Sequence, residues 1–152
     1  MRVDISVQHE DFDAGAELAD LRAASRSVGA VASFIGAVSD SNEQQRVSEL
    51  ELEHYPGMTE RSIRGIAEQA GRRWELLAVR VIHRVGRLPV GAQIVLVGVA
   101  SRHRGEAFAA CEFIMDHLKT RAPFWKKERT DSGERWLDAR ASDAQAAARW
   151  SE

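Results

Sequence analysis

The sequence predicts an α+β domain built on a largely antiparallel sheet. Three observations carry that prediction. Short runs of alternating apolar and polar residues recur, as at Val3, Ile5 and Val7 and again at Leu50, Leu52 and His54. The run Ile94-Val95-Leu96-Val97-Gly98-Val99-Ala100 is apolar on both faces, which suits a strand in the middle of a sheet. Thr130-Asp131-Ser132-Gly133 separates two extended segments as a hairpin turn.

The elements follow in order. Val3, Ile5 and Val7 mark a first strand. Leu18 and Leu21, in an Ala-rich stretch from about Asp13 to Arg26, mark a short helix. Val28 to Val38 is small and apolar and reads as a buried strand, and the polar stretch Asp40 to Arg46 reads as a mobile loop. Leu50, Leu52 and His54 alternate with Glu49, Glu51 and Glu53, giving a half-buried strand with an acidic outer face. Pro56-Gly57 breaks the chain. Ile63, Ile66, Ala67, Ala70 and Trp74 then fall at helical spacing, with Thr59 as the expected N-cap. Val79, Val81 and His83 alternate with Arg80, Ile82 and Arg84 in another strand, and Gly86 to Gly91 reads as a turn around Pro89. Ala107, Phe108, Cys111, Ile114, Met115 and Leu118 form one helix stripe. Phe124–Arg129 and Arg135–Asp138 are the arms of the hairpin. Ser142 is the expected cap of a last helix ending near Trp150. Repeats, low-complexity runs and linkers are absent from the sequence, so residues 1–152 are expected to form one domain.

Composition narrows the function. Hydrophobic residues make up 44% and charged residues 29%, as in a soluble globular protein. A net charge of -2 argues against a general nucleic-acid binder, so any positive patch must be local. The single cysteine, Cys111, excludes an intrachain disulfide and a cysteine-rich zinc site. Met1 to Val7 lacks the apolar core of a signal peptide, and no segment approaches the ~20 apolar residues of a membrane span. A cytoplasmic, soluble protein is expected, with no membrane partner.

The most informative stretch is Phe113 to Glu128. It begins as a helix, stops at Pro123 and restarts as an extended segment, with cationic side chains on both sides of the break. A pocket for an anionic substrate needs such a layout. Lys119 lies at the helix end, where the dipole favours its charge, while neighbouring cations favour a neutral amine able to act as nucleophile or base. A plain helix-capping lysine is the alternative. In the extended segment Phe124, Lys126 and Glu128 share one face and Trp125, Lys127 and Arg129 the other, so Lys126 and Lys127 cannot both enter one pocket from a regular strand. The bland reading there is an edge strand protected by charge. Ser101-Arg102-His103-Arg104-Gly105 precedes the long helix and reads either as an anion site at a helix start or as a solvated loop. Cys111, on the apolar stripe, reads as a buried structural thiol. His54 and His83 sit on strand faces, and no histidine spacing suits a metal, so no metal or cofactor is expected. Trp125 and Trp136, among four tryptophans, lie near the basic segment and are candidates for a subunit interface.

Several pieces taken together carry a resemblance. They are Leu52-Glu53-His54-Tyr55-Pro56-Gly57-Met58, Val81-Ile82-His83-Arg84-Val85-Gly86, Val97-Gly98-Val99-Ala100-Ser101-Arg102-His103-Arg104, the whole run from Phe113 to Lys127, and Arg135-Trp136. From about residue 28 onward the chain resembles the MoaE family, the large catalytic subunits of molybdopterin synthase. The resemblance implies an α/β hammerhead fold. It implies a homodimer that binds two small ubiquitin-like sulfur-carrier subunits, giving a heterotetramer. The carrier's C-terminal Gly-Gly thiocarboxylate would deliver sulfur to cyclic pyranopterin monophosphate, and two transfers would build the dithiolene of molybdopterin. Lys119 and Lys126 would be the catalytic pair. His103 and Arg104 would hold the substrate anion, with the neighbouring protomer as one possible source. Val38, Lys127, Glu128 and Arg140 would adjoin the substrate, and Phe34 and Met115 would shape the pocket wall. The family commonly carries Gly-Lys-Val-Arg where this chain has Gly36-Ala37-Val38-Ser39. Losing a charge-assisted contact to an anion costs about 1.5–3 kcal/mol, which another arginine such as Arg46 would have to offset. A dimeric carrier-binding scaffold with weak catalysis is the competing expectation. A phosphate-ligand binder unconnected with sulfur is a third.

Overall fold

The computed structural model describes residues 1–137 and 140–151. The chain opens with strand β1 (Arg2–Gln8) and helix α1 (Ala14–Arg22), followed by β2 (Ala30–Ala37), β3 (Ser41–Asn42) and β4 (Gln45–His54). Helix α2 (Met58–Arg73) leads into β5 (Leu76–Arg84), β6 (Gly86–Pro89) and β7 (Gln93–Ser101). The long helix α3 (Arg104–Arg121), the hairpin β8 (Phe124–Thr130) and β9 (Gly133–Leu137), and helix α4 (Ala141–Ala148) complete it.

The strands make two sheets. One has four strands in the order β1-β5-β7-β2. The other runs β3-β4-β8-β9, with β6 also paired to β4. Among the described pairings only β1 with β5 is parallel. The fold is therefore α+β and largely antiparallel, as expected.

Burial explains the patterns. Val79, Val81, Val97 and Val99 project from β5 and β7 into the main core, against Ile63 and Ile66 of α2 and Phe113 and Ile114 of α3. Ala78 and Ala100 face the other way and pack on Leu21 of α1. The middle of this sheet is thus covered on both faces, which is why the run from Ile94 to Ala100 shows no polar alternation. Leu21 lies so close over Gly98 that a β-carbon there would collide with it. Leu50, Leu52 and Leu88 form a smaller core under the second sheet.

The structure corrects several expectations. The segment from Val28 to Val38 is not a buried strand: β2 is an edge, and Phe34 and Ile35 are each 41% exposed. Its apolar residues suggest core, yet one long edge of the strand has no neighbour among the described strands. Asp40 to Arg46 is not a loop throughout. Ser41 and Asn42 pair with Arg46 and Gln45, and Glu43 and Gln44 turn the hairpin at φ of 51° and 64°. Thr59 is not the N-cap of α2; Gly57 holds that place at φ of 84°, and Glu60 accepts its N–H. The Gly86–Gly91 segment contains a short strand, β6, because Gly86 to Pro89 can pair with Glu49 to Leu52. Phe108, placed on the buried stripe of α3, is 65% exposed. Ser142 lies inside α4, and Arg140 takes the capping position. Asp138, the expected end of the second hairpin arm, lies outside the described residues.

Candidate active site

Pro123 builds the site. The residue before a proline is forced out of helical geometry, and Ala122 is extended at φ -81° and ψ 128°. Helix α3 therefore ends at Arg121, with Lys119 in its last turn. Strand β8 starts at Phe124, and Lys126 is set opposite Leu52 of β4 and Leu137 of β9. Buried Thr59 pins the break, since its hydroxyl donates to the Pro123 carbonyl at 3.2 Å and accepts from the Tyr55 N–H at 3.0 Å. Two lysines from different elements are thereby turned towards one hollow.

That hollow has a volume of about 380 Å³ and is lined by Lys119, Lys126, Arg135 and Arg140, with Glu43 the one carboxylate among the described residues. Lys119 also lines an adjoining apolar hollow of about 320 Å³ with Phe34, Met115, His83 and Ala37. Lys126 and Arg140 reach into a third, of about 150 Å³, with Val38, Ser39 and Glu128. Glu128 is only 5% exposed. Its carboxylate accepts from Arg135 at 3.0 and 3.1 Å and from Asn42 at 3.0 Å. Arg140 donates in turn to the Asn42 side chain. This network spans β3, β8, β9 and the start of α4 and fixes the cationic wall.

The Lys126 amine is pushed down to about 8, first by burial and then by the Lys119 charge, with Arg140 adding to the shift and Asp143 opposing it. About a tenth of the amine is neutral at pH 7 and about half at pH 8, so the free base that proton transfer or nucleophilic attack requires is within reach. His83 is pushed down to about 3, chiefly by burial. It is stacked on Phe124 at 3.7 Å between ring centroids, and its Nδ1 lies 2.8 Å from the Arg84 carbonyl. The neutral ring therefore donates from Nδ1. The Cys111 thiol is pushed up to about 12 by burial and faces the Val97 carbonyl, so it is not a nucleophile. Among the described residues no group of three or more His, Cys, Asp or Glu could hold a metal.

Three expected site residues lie elsewhere. Lys127 is on the opposite face of β8, paired with Glu51 at 3.6 Å and Glu134 at 3.3 Å and lying over the Trp136 ring. His103 and Arg104 are exposed at the start of α3. A helix rises 1.5 Å per residue, which puts them about 24 Å along the axis from Lys119. Within one chain they do not share its hollow; a second copy would have to supply them.

A model of the family described as MoaE protein matches residues 7–121. The chain belongs to the MoaE family. A molybdopterin synthase catalytic subunit from Ralstonia nicotianae is 63% identical over 146 residues, which is 96% of this chain and 83% of that relative. The MoaE protein of Burkholderia ambifaria superposes with a TM-score of 0.85 at 54% identity, covering 100% of this chain and 99% of that one. A complex of subunits 1 and 2 of molybdopterin-converting factor from Helicobacter pylori shares the fold at a TM-score of 0.71 and 17% identity, over 91% of each chain. The hammerhead fold expected from the resemblance is thus the observed one.

For a MoaE chain, the Ala37 and Ser39 replacements leave no cation on that strand end. Arg46 does not line the hollows, whereas Arg135 and Arg140 do. Arg135, Asn42 and His83 were not singled out in the sequence as pocket residues. Their convergence depends on pairings between distant segments, and no local spacing signals it.

Proposed function

We propose that this chain is the catalytic subunit of a molybdopterin synthase. It passes sulfur from the thiocarboxylate tail of a small ubiquitin-like carrier to cyclic pyranopterin monophosphate. The observation that carries this reading is the meeting of Lys119 and Lys126 in one hollow beside Arg135 and Arg140. The phosphate and the thiocarboxylate are both anions, and such a wall holds both. The apolar hollow beside Lys119 leaves room for a narrow tail. Lys126, half neutral near pH 8, moves the protons that sulfur addition requires. The donor brings its own sulfur, so the buried Cys111 is not needed. His103 and Arg104 act from a second copy in a homodimer, within a heterotetramer. Lys127 bears on the substrate only through the strand it shares with Lys126 and Glu128. Residues 1–152 work as one domain, in the cytoplasm; among the described residues no helix is long and apolar enough to cross a membrane.

The test is reconstitution with thiocarboxylated carrier and cyclic pyranopterin monophosphate, following dithiolene formation. Wild-type protein forms product, and Lys119→Ala lowers the rate by about 10²-fold or more while the fold is kept. No product from the wild type, despite carrier binding, would establish the scaffold reading. Near-normal turnover by the variant would remove Lys119 from the mechanism.

A further inference from the structure

Helix α4 has no buried residue, and eight residues are too few to hold a helix in water unaided. Its two ends are anchored instead. At the start, Arg140 bonds to Asn42 and lines the hollows with Lys126. At the far end, the Trp150 ring meets Trp74 and Phe113 edge-on, at 5.6 and 5.5 Å between centroids. The Arg73 guanidinium covers that ring at 5.5 Å and donates to the Trp150 carbonyl at 2.7 Å. The indole N–H donates to Asp116 at 2.7 Å, and Arg149 reaches Asp116 at 2.6 Å and Glu112 at 2.8 Å. Asp116 stands on α3, one turn before Lys119.

We infer that Trp150, held by Arg73 and Asp116, is a latch that positions α4 over the Lys119–Lys126 site, and that it serves the reaction by keeping Arg140 there. The inference rests on the proposed function and adds a positioning residue to it. Lys126 is faced by Lys119 from α3, His83 from β5, Arg135 from β9, Glu43 from the β3–β4 turn, and Arg140 and Asp143 from the α4 segment. Only the last two depend on the latch. Its release takes Arg140 and Asp143 away from the amine and opens to water the hollow that Arg140 lines. Burial is the largest cause of the low Lys126 value, so admitting water outweighs the loss of Asp143 and the amine moves back towards an ordinary lysine.

The test compares the full-length wild type, Trp150→Ala and Trp150→Phe. Lys126 is titrated by its rate of acetylation with acetic anhydride, read by mass spectrometry, which needs no turnover. The expected midpoint moves up by roughly one pH unit in Trp150→Ala and less in Trp150→Phe, which keeps the ring packing. In turnover, the KM for the pterin phosphate rises by about tenfold and the ascending limb of the pH–rate profile moves to higher pH. A folded Trp150→Ala with wild-type titration and KM overturns the latch. Should that variant fail to fold, Arg149→Gln loosens the same anchor from the surface, and the same two readouts decide. A wild type that transfers no sulfur, while the labelling shift still appears, overturns the assigned reaction and supports the latch.

Discussion

Lys126 places a cationic side chain where burial disfavours charge. Its folded value, about 8, lies below the 10.5 of an ordinary lysine. The unfolded chain therefore binds more protons between those values, and stability rises with pH across that window. Below pH 8 the buried charge is a net cost. Lys126→Met should then be inactive yet more stable at pH 7 by about 1–3 kcal/mol, as measured by urea unfolding. A loss of stability would mean that the amine has partners which offset its burial. In turnover, the rate should climb about tenfold per pH unit below 8 and level off above it if the neutral amine is the working form. Lys126→Arg, permanently charged, should not restore activity. Cys111→Ala should retain turnover, because a thiol held near 12 supplies no thiolate. The opposite facing of Lys126 and Lys127 was legible from strand alternation alone. The remoteness of His103 from Lys119 follows from helix length, yet which copy supplies His103 is decided only by assembly.

The α3–Pro123–β8 corner was legible as a helix, a proline and an extended segment, because each signal is local. What holds the corner was not: Thr59 looks like a helix cap in sequence and serves instead as a bridge from α2 to Pro123. The β3–β4 hairpin is not legible in the polar stretch Asp40 to Arg46, since Glu43 and Gln44 are not turn residues by type. Both adopt the left-handed region that glycine favours. Gln44→Gly should relieve that strain and raise stability by about 0.5–1 kcal/mol, shifting the urea midpoint upward. An unchanged or lower midpoint would place the turn in another conformation. The hairpin also brings Asn42 to Glu128 and Arg140, so its geometry shapes the cationic wall.

At the scale of the whole molecule, His83 of β5 stacked on Phe124 of β8 links the two sheets. His83 titrates at about 3 when folded and near 6.5 when unfolded. Between those values the unfolded chain binds the extra proton. The contribution of His83 to stability is full above pH 6.5 and is lost on acidification by up to about 1.4 kcal/mol per pH unit. His83→Leu should flatten that dependence by one proton, as read from urea unfolding between pH 4 and 7. An unchanged slope would mean that the ring is charged within the fold. The helices and the longer strands in their order, the central β7 strand, the break at Pro123 and the basic character of the segment after it were determined by sequence alone, because periodicity and proline geometry act within a few residues. The edge position of β2, the enlistment of Arg135 and Asn42 and the low Lys126 value were decided by tertiary structure. Strand order and burial depend on which distant segments pair, and the desolvation of an amine depends on everything packed around it.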